Sequence, residues 1–542
     1  MPTARSKPDT RRVVRRSLLS YDIAMTTTAE VGVSDGREYE LKFAIDPSAC
    51  EALVSHPALK QAVRDQQLAH LTSTYFDTPD ERLRREHVSL RVRQSEGGGA
   101  VQTLKQASGS IVDRAEWERP VDGASPDPAF LRETPLKPLF EEIDGALAPR
   151  FTVDVTRTIF PLHQGEADIE AALDRGTIRG EGLAVDVSEL ELESKKGQQG
   201  AVFDVARELV RDLPLVLSLT SKSERGFAMA GLTLGRPTKA LDLTLTAKMT
   251  REQAFASIVQ ACLAAITWNA ALIAGENDGE AVHKTRIALR RLRAAIALFK
   301  PTLRKRRLAP LLREVKWAAR KLGEARDADV LQATHIEPAA HDPLVTGAPA
   351  LAALMRERRA TAHAALRAAL ASSRWRLLLV NLLAFSLDGV RRSRRTRGYR
   401  GFVRGRLAAL RGELAGQARR FSRLPPGALH EMRKSAKMLR YDLELFREVP
   451  KLGGHTKAYG GLLGDLESLQ EILGEVQDGA TAREHLHGAV LGRPRPSGTP
   501  PEVWRSAASA ARLLSRRISS TSGHPRKAEK AARRLRRPIA FR

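Results

Sequence analysis

A change of sequence period near residue 235 constrains the fold of this chain more than any other feature. From Glu38 to about Gly231, polar and apolar residues alternate with period two, which is typical of β-strands. After the Gly235-Arg236-Pro237 break, Thr250-Arg251-Glu252-Gln253 forms a predicted capping box, and the period becomes that of amphipathic helices. The sequence therefore predicts a β domain followed by an α domain.

Glycine and proline residues and changes of charge mark the boundaries of these regions. Met25 is an alternative start, because it opens a short polar run that leads into the first strand. The predicted segments are a basic, disordered N-terminal extension at 1–34, a β domain at 35–231, a linker at 232–249, a helical domain at 250–520 and a basic, mobile tail at 521–542.

Charge is divided as unevenly as the period. The 542 residues carry a formal net charge of +26. Residues 35–230 hold 24 basic and 34 acidic side chains, whereas residues 231–542 hold 59 basic and 26 acidic ones. An acidic half beside a strongly basic half indicates two different tasks, and the basic half is expected to bind a polyanion.

Cysteine content and hydropathy indicate the cellular compartment in which the chain is expected. Only Cys50 and Cys262 are present, far apart in sequence, so a disulfide framework is not expected and a reducing cytoplasm is. The apolar stretch at 377–387 contains Asn381 and falls short of the roughly 20 residues that a membrane span needs. We expect it to be a buried helix, and we expect no membrane partner.

Charged residues recur on one face of the predicted strands. Glu38, Glu40 and Lys42 alternate, so their side chains point to the same side of a strand. Further strands repeat the pattern with cations and carboxylates, namely Arg91, Arg93, Lys105, Arg114, Arg157, Lys222 and Arg225, and Glu116, Glu118, Asp174, Glu189, Glu191 and Glu193. If the sheet closes, both signs line its interior, where either alone would be too costly to bury.

An interior with both signs favours a phosphate chain and a divalent cation as joint ligands. Arg and Lys donate to phosphoryl oxygens, while carboxylates suit Mg²⁺ or Mn²⁺, which prefer hard oxygen donors. The expected chemistry is metal-assisted attack of water on a terminal phosphorus.

Several individual residues admit two interpretations. Arg114, Glu116 and Glu118 line the interior or form cross-strand ion pairs. Asp174 faces inward, as its even offset from Glu170 allows, or it belongs to a turn with Arg175-Gly176.

The β region resembles the CYTH family of triphosphate tunnel enzymes. Six phrases in order carry the resemblance: Glu38-x-Glu40-x-Lys42, Tyr75-Phe76-Asp77-Thr78-Pro79-Asp80, Leu90-Arg91-Val92-Arg93, Thr103-Leu104-Lys105, Ser188-Glu189-Leu190-Glu191-Leu192-Glu193 and Ser221-Lys222-Ser223-Glu224-Arg225-Gly226. His87 departs from the family, which often has glycine at that position.

The resemblance implies an eight-stranded antiparallel β-barrel tunnel and assigns roles within it. It implies catalytic roles for Glu38, Glu40 and Lys42. It implies metal binding by Glu38, Glu40, Glu189, Glu191 and Glu193. It implies triphosphate binding by Lys42, Arg91, Arg93, Lys105, Arg157, Lys222 and Arg225.

The helical region contains an internal repeat. His283, Arg286, Arg290 and Arg293 have the same offsets as His430, Arg433, Lys437 and Arg440, and each set forms one helical stripe. Each stripe is followed by a second matching phrase, Leu322-Gly323 with Arg326-Asp327 and then Leu473-Gly474 with Gln477-Asp478. The repetition predicts duplicated helical hairpins that face a shared surface.

Like charges along a helix repel, so the two stripes favour an anionic partner. The region resembles the CHAD family over about 250–520, through His283-x-x-Arg286, Leu289-Arg290-Arg291-Leu292-Arg293, Leu322-Gly323-x-x-Arg326-Asp327-x-Asp329, His430-x-x-Arg433 and Lys437-x-x-Arg440-Tyr441. This resemblance implies an all-α bundle that binds inorganic polyphosphate. The predicted contacts are His283, Arg286, Arg290, Arg291, Arg293, His430, Arg433, Lys437 and Arg440.

Competing partners are less favoured by this composition. Aromatic residues make up 5% of the chain, which leaves few rings to stack on bases, and no nucleic-acid motif is present. Asp327, Asp329 and Asp478 either help to hold a metal at the phosphate surface or serve as helix caps and ion-pair partners of Arg326.

Together these features predict an inorganic triphosphatase that cleaves tripolyphosphate and binds polyphosphate, with a cytoplasmic or granule-associated location. Two alternatives remain from the residues alone. One is a class IV type adenylate cyclase or an organic triphosphatase, such as one acting on thiamine triphosphate. The other is a binding scaffold on polyphosphate granules that has lost turnover.

Overall fold

The computed structural model describes residues 37–107, 113–143, 145–239, 241, 243–275, 279–390, 398–447, 449, 452, 457–521 and 525–536. The predicted N-terminal extension at 1–34 lies outside the described residues.

Strands occupy the first part of the described chain, as the period-two pattern predicts. They are β1 (Arg37–Ala44), β2 (Gln67–Asp77), β3 (Val88–Ser95), β4 (Ala100–Ala107), β5 (Asp113–Val121), β6 (Ala148–Gln164), β7 (Ala167–Gly180), β8 (Leu183–Lys196) and β9 (Val216–Ser218). Short helices connect them: α1 (Cys50–Val54), α2 (Arg82–Arg85), α3 (Pro128–Glu133), α4 (Lys137–Glu142), α5 (Gly200–Asp212) and α6 (Lys222–Ala230).

The nine strands of the described residues form one antiparallel sheet in the order β5-β4-β3-β2-β6-β7-β8-β1-β9. Strand β1 also pairs with β5 through three residue pairs, from Arg37 opposite Ala115 to Tyr39 opposite Asp113. The two sides of the sheet therefore meet at one end only, and the sheet is not closed along its full length. Within the described residues, the predicted eight-stranded barrel gains β9 as a short ninth strand.

The sheet has an apolar outer face, and its inner face is charged except where Val153 and Val155 pack with Phe227 of α6. Leu41, Phe43 and Leu190 point outward and are buried against α5, whose Val202, Phe203, Ala206 and Leu209 belong to the same core. On the same outer face, at strands β3 to β5, Leu90, Leu104 and Trp117 pack against α3 and α4. Because the outer face is covered in this way, the charged residues of the alternating pattern are left facing the interior.

Helices occupy the second part of the described chain. They are α7 (Arg251–Gly275), α8 (Gly279–Phe299), α9 (Lys305–Leu331), α10 (Glu337–Ala340), α11 (Ala348–Ala371), α12 (Ser373–Asp388), α13 (Tyr399–Arg419), α14 (Pro426–Leu445), α15 (Lys457–Leu486), α16 (Pro501–Thr521) and α17 (Pro525–Arg534). The predicted capping box opens α7, since Thr250 N donates to Gln253 Oε1 at 2.9 Å and Gln253 N donates to Thr250 Oγ1 at 3.2 Å.

The apolar stretch at 377–387 lies in α12, where most of its residues are buried, as predicted. Among the described residues, one helix, α7, is long and apolar enough to cross a membrane. Helices α11 and α12 together would make a second such span only as a bent pair. Two thirds of the apolar window of α7 is buried inside the protein, which is what a core helix shows as well.

The expectation of a mobile C-terminal tail is wrong for part of that segment. Residues 525–534 form α17, and Ala531, Ala532 and Leu535 are buried in the main core. Arg536 anchors the end of this segment by donating from Nη2 to the Ala418 carbonyl at 2.8 Å. Small apolar residues spaced along one face of a basic helix are enough to hold it against the bundle.

Candidate functional site

Strand register brings the charged residues of the β domain together. Lys42 on β1 lies opposite Glu191 on β8, and its Nζ is 2.7 Å from Glu191 Oε1 and 2.8 Å from Glu40 Oε1. Arg157 on β6 lies opposite Asp174 on β7 and donates to both of its oxygens at 2.7 Å. These side chains meet in one cavity inside the sheet, which is called the tunnel below.

Lys222 enters the tunnel from a helix. The sequence grouped Lys222 and Arg225 with strand cations, but both lie on α6, because Ser221 and Glu224 form a capping box that starts this helix. Lys222 Nζ is 2.7 Å from Asp174 Oδ2 and 3.0 Å from Glu191 Oε1, and it also contacts Glu189. The capping box is a local pattern, so the sequence itself contains the signal that places Lys222 on a helix.

Asp174, Glu189 and Glu191 form a buried acidic cluster. One oxygen from each lies within 4.8 Å of the others. Burial alone would raise the pKa of Glu191, but Lys222, Lys42 and Arg157 hold it well below its ordinary value. Burial also opposes the charge of Asp174, yet Lys222 and Arg157 lower its pKa. Three carboxylate oxygen donors at this spacing fit a hard divalent cation such as Mg²⁺.

The opposite wall of the tunnel is cationic. Arg91 Nη2 lies 4.0 Å from Glu118 Oε1, and Lys105 Nζ lies 3.1 Å from Glu116 Oε1, so the predicted cross-strand ion pairs are formed while the same residues line the tunnel. Arg93 differs, since its Nε contacts Ser73 Oγ at 3.3 Å and no carboxylate of the described residues lies within ion-pairing distance. Burial, followed by the neighbouring Arg91 and Arg157, lowers the pKa of Arg93 to about 10.

The tunnel has a volume of about 370 Å³ and gathers most of the predicted site residues. Those lining it are Glu40, Lys42, Arg91, Arg93, Lys105, Arg157, Glu191, Glu193 and Lys222. Glu189 and Arg225 lie at its edge, where Arg225 Nη1 is 3.5 Å from Glu189 Oε2. Glu38 lies on β1 opposite Arg114, and the side chains of these two residues are outside the described part of the structure.

Asp174 and Tyr75 are tunnel residues that the sequence did not assign. The turn interpretation of Asp174 is wrong: this residue is fully buried in the middle of β7. Gly176, which suggested a turn, is needed because a Cβ there would lie 2.0 Å from the Asp154 carbonyl oxygen of β6. Burial would raise the pKa of Tyr75, but the positive charges of Arg91, Arg93 and Lys222 outweigh burial and lower it.

The helical domain contains a second charged cavity, of about 200 Å³, called the cationic pocket below. His283, Arg286 and Arg290 enter it from α8, and Arg433 and Lys437 enter it from α14. The two halves of the sequence repeat therefore face one shared surface, as predicted. Burial, then Arg433 and Arg290, lowers the pKa of Lys437 to about 8.

The second phrase of the repeat holds the arginines of the first. A Cβ on Gly323 would lie 2.9 Å from Arg286 Nη1, and one on Gly474 would lie 3.3 Å from Arg433 Nη2. Four residues after each glycine, an aspartate meets the same arginine: Asp327 Oδ1 at 3.7 Å from Arg286 Nη2 and Asp478 Oδ1 at 3.5 Å from Arg433 Nη2. Each glycine makes room for an arginine, and each aspartate orients it.

Four of the predicted polyphosphate contacts lie outside the cationic pocket. Arg291 and Arg440 both approach Glu444, at 3.7 and 3.0 Å. Arg293 is exposed, and His430 is half-buried beside the pocket without lining it. The last residue of each stripe lies ten positions after the first and so falls beyond the end of the pocket. Arg293 and Arg440 therefore do not line it.

The pocket also includes residues that the sequence did not single out as contacts. Arg326, His335 and His485 line it together with Asp327 and Asp478. His335 lies in the π-helical segment Gln332–Ile336, which inserts one extra residue into the helix and obscures the repeat offset. Asp329 lies elsewhere: its Oδ1 contacts Arg359 Nε at 2.6 Å and His363 Nε2 at 2.8 Å, so neither pairing with Arg326 nor a role in the pocket is seen.

Two family models match this chain. Residues 36–227 match the CYTH domain, and residues 257–487 match the CHAD domain. The chain therefore carries a CYTH domain followed by a CHAD domain, which confirms the resemblance found in the sequence.

Among individual proteins, the inorganic triphosphatase of Haemophilus influenzae is 32% identical over 198 residues, which are 36% of this chain. The match spans 55% of that relative's length. The crystal structure of the CHAD domain from the plant Ricinus communis is 25% identical, with a TM-score of 0.47, and covers 56% of this chain and 98% of that one. HpAC1 from Hippeastrum, described as an adenylyl cyclase with a dominant triphosphatase activity, is 17% identical with a TM-score of 0.27, over 35% of this chain and 96% of that one.

Proposed function

We propose that this protein is a metal-dependent inorganic triphosphatase that hydrolyses tripolyphosphate to pyrophosphate and phosphate, with a helical domain that binds polyphosphate. The environment of Arg93 is the observation that carries the proposal. Arg93 is a cation inside the tunnel, and burial, followed by the neighbouring Arg91 and Arg157, lowers its pKa more than Tyr75 and Glu191 raise it. An anion bound beside Arg93 would relieve this repulsion, and a phosphate chain along Arg91, Arg93 and Lys105 supplies several such charges.

The acidic side of the tunnel would hold the metal. Asp174, Glu189 and Glu191 offer clustered carboxylate oxygens, and Glu40 adds a buried carboxylate whose Oε1 lies 2.8 Å from Lys42 Nζ. A divalent cation there would polarise phosphoryl oxygens and favour ionisation of an attacking water. Lys42, Arg157 and Lys222, which contact these carboxylates, would share them with that cation.

The protein's own residues would position the chain for in-line displacement. Lys42, Arg157 and Lys222 contact the acidic cluster and line the tunnel, so they can hold the oxygens of the terminal phosphoryl group. As water adds to the terminal phosphorus, its bond to the bridging oxygen breaks and pyrophosphate leaves. Arg91, Arg93 and Lys105 would neutralise the charge that develops on the leaving oxygen.

The cationic pocket supports the second half of the proposal. Cations from α8 and α14 converge there, and the pKa of Arg286 is lowered to about 10 by burial and by Arg290. A flexible polyanion would relieve this repulsion and would release its counterions on binding, so affinity should fall as salt rises.

Phosphate release from tripolyphosphate with Mg²⁺ or Mn²⁺ tests the enzyme. Wild type is expected to turn over, and Glu191→Gln is expected to lose activity by about a hundredfold or more, because the metal and Lys42 lose a shared partner. Glu133→Gln, which removes an exposed carboxylate that pairs with Arg119, is the matched control and should leave activity unchanged. No phosphate release by wild type with either metal would favour the scaffold alternative.

A further inference from the structure

A third cavity, of about 600 Å³, lies between the two domains and adjoins the tunnel. It is called the inter-domain chamber below. Ser89, Lys105, Ser221 and Ser223 line both the chamber and the tunnel. A ligand whose triphosphate occupies the tunnel can therefore extend into the chamber through this shared boundary.

One wall of the chamber comes from the helical domain. Ala261, Ala264, Ala265 and Trp268 present a face of α7 to the cavity. This face has no charged side chain, whereas the tunnel is lined mostly by charged ones. Small alanines beside one indole ring leave a flat apolar surface, which suits a planar organic group better than a phosphate chain.

Hydrogen bonds fix this wall in place. Trp268 Nε1 donates to the Arg236 carbonyl at 2.9 Å, which orients the indole ring. Asn269 is fully buried and holds the linker at Thr238, accepting from its N–H at 2.9 Å and donating to its carbonyl at 2.8 Å. The chamber is therefore formed in advance of any ligand, which lowers the entropic cost of binding.

His87 ties the β domain to the same linker. Its φ is 56°, in the left-handed region that favours glycine, and its Nε2 lies 3.3 Å from Thr244 Oγ1. The His87 side chain, at a position where the family often has glycine, thus reaches from the chamber to the linker. The strained backbone is offset by a contact with the linker that glycine could not make.

The cations of the chamber already have carboxylate partners. Arg84 Nη1 is 2.5 Å from Glu81 Oε2, Arg85 pairs with Asp80, and Lys105 pairs with Glu116. Arg84 also lies over the ring of Phe227, 5.3 Å from its centroid. Phosphates beyond those that Lys105 holds in the tunnel would find Arg84 and Arg85 already neutralised, in contrast to Arg93.

We propose that the inter-domain chamber is a binding subsite, shared by the two domains, for a planar organic group esterified to the triphosphate in the tunnel. Trp268 stacks on that group, and the hydroxyls of Ser89, Ser221 and Ser223 face its polar edge. This assignment rests on the proposed triphosphate site and extends its substrates to organic triphosphates, with the helical domain as a specificity element.

Equilibrium binding and phosphate release, measured with ATP and with tripolyphosphate on the full chain, test the proposal. Trp268→Ala should weaken ATP binding about tenfold through loss of stacking, and should leave tripolyphosphate within about twofold. Trp268→Phe keeps a ring but loses the bond to Arg236, so it should retain most of the ATP affinity.

A second variant guards against misfolding of the first. Ala264→Phe adds a ring to the same face of α7, leaves the Trp268 hydrogen bond intact and fills the chamber, so it should weaken ATP and spare tripolyphosphate. Thermal melts confirm that each variant is folded.

Three results would overturn the proposal: no binding of ATP by wild type, unchanged ATP affinity in both folded variants, or a larger loss for tetrapolyphosphate than for ATP. The last would make the chamber a site for a longer phosphate chain. Absence of tripolyphosphate hydrolysis with ATP binding intact would instead contradict the proposed function alone.

Discussion

At the scale of single residues, the cations of the tunnel differ in their charge partners. Arg157 and Lys222 are held by Asp174 and Glu191, and the carboxylates raise the pKa of both despite burial. Arg93 has the opposite environment, since burial and other cations lower its pKa. Arg157 and Lys222 are paired with the acidic cluster, whereas Arg93 has no carboxylate within ion-pairing distance among the described residues.

Replacing Arg93 by Gln should lower kcat/KM for tripolyphosphate by about a hundredfold, because a donor inside the tunnel is lost to the transition state. The same change should not reduce thermal stability, since it removes a buried cation that lacks a counter-ion. Steady-state kinetics and melting curves measure both effects. Arg175→Gln, at an exposed position of β7, is the control, and wild-type kinetics in Arg93→Gln would contradict the assignment.

Asp327 and Asp478 allow a second test at this scale. Each carboxylate competes with phosphate for an arginine of the cationic pocket, so Asp327→Asn and Asp478→Asn together should raise polyphosphate affinity several-fold. Titration with and without Mg²⁺ measures the change. Glu324→Gln removes an exposed charge of α9 that pairs with Lys321 and serves as the control. Weaker binding that appears only with Mg²⁺ would show that these aspartates hold a metal instead.

At the scale of elements, the placement of α6 decides where Lys222 points. The capping box at Ser221 starts the helix, and Gly226 lets it approach β6, since a Cβ there would lie 2.3 Å from the Phe151 ring. Phe151 is itself fixed by stacking on Tyr75, with 4.9 Å between ring centroids. Helix α6 is therefore wedged against the sheet by a glycine and two aromatic rings.

Gly226→Ala should destabilise the fold by about 1–3 kcal/mol and lower activity, because overpacking displaces α6 and with it Lys222. Gly200→Ala is the matched control at the start of α5, where a Cβ would meet no atom within 4 Å. Chemical denaturation and phosphate release measure the two effects. A Gly226→Ala protein that is as stable and active as wild type would show that α6 has room to move.

At the scale of the whole molecule, the two domains share one hydrophobic core. Helix α5 of the β domain packs on α12 of the helical domain, where Arg207 Nε donates to Asn381 Oδ1 at 2.8 Å and buried Arg376 Nε donates to the Val210 carbonyl at 2.8 Å. An apolar interface with buried hydrogen bonds does not slide easily. The tunnel, the inter-domain chamber and the cationic pocket are thereby parts of one framework.

Division of labour between domains can be tested with two arginines of α8. Arg290→Glu should weaken retention of long-chain polyphosphate more than tenfold, because Arg290 lines the cationic pocket. Arg293→Glu makes the same charge change at an exposed position outside the pocket and should have a much smaller effect. Both should hydrolyse tripolyphosphate at the wild-type rate. Equal loss of binding and hydrolysis in Arg290→Glu would contradict separate roles.

Much of this organisation could be predicted from local patterns. Alternation identified the strands and their charged face, Thr250 marked the start of α7, and equal offsets paired the stripes at His283 and His430. These features follow from backbone periods of 2.0 and 3.6 residues, which act over a few residues and leave a direct trace in the sequence. The charged interior followed too, since opposite charges on one face need a shared enclosure.

Other features depended on which elements become neighbours. Asp174 joined the acidic cluster through strand register, Arg291 and Arg440 were drawn to Glu444, and His335 reached the pocket through a π-helical turn. The chamber exists because α7 comes to lie across the mouth of the tunnel. The sequence by itself determined the chemistry that each element carries, whereas tertiary structure decided which groups meet, because register and packing are settled by burial across the whole core and not by neighbours in the chain.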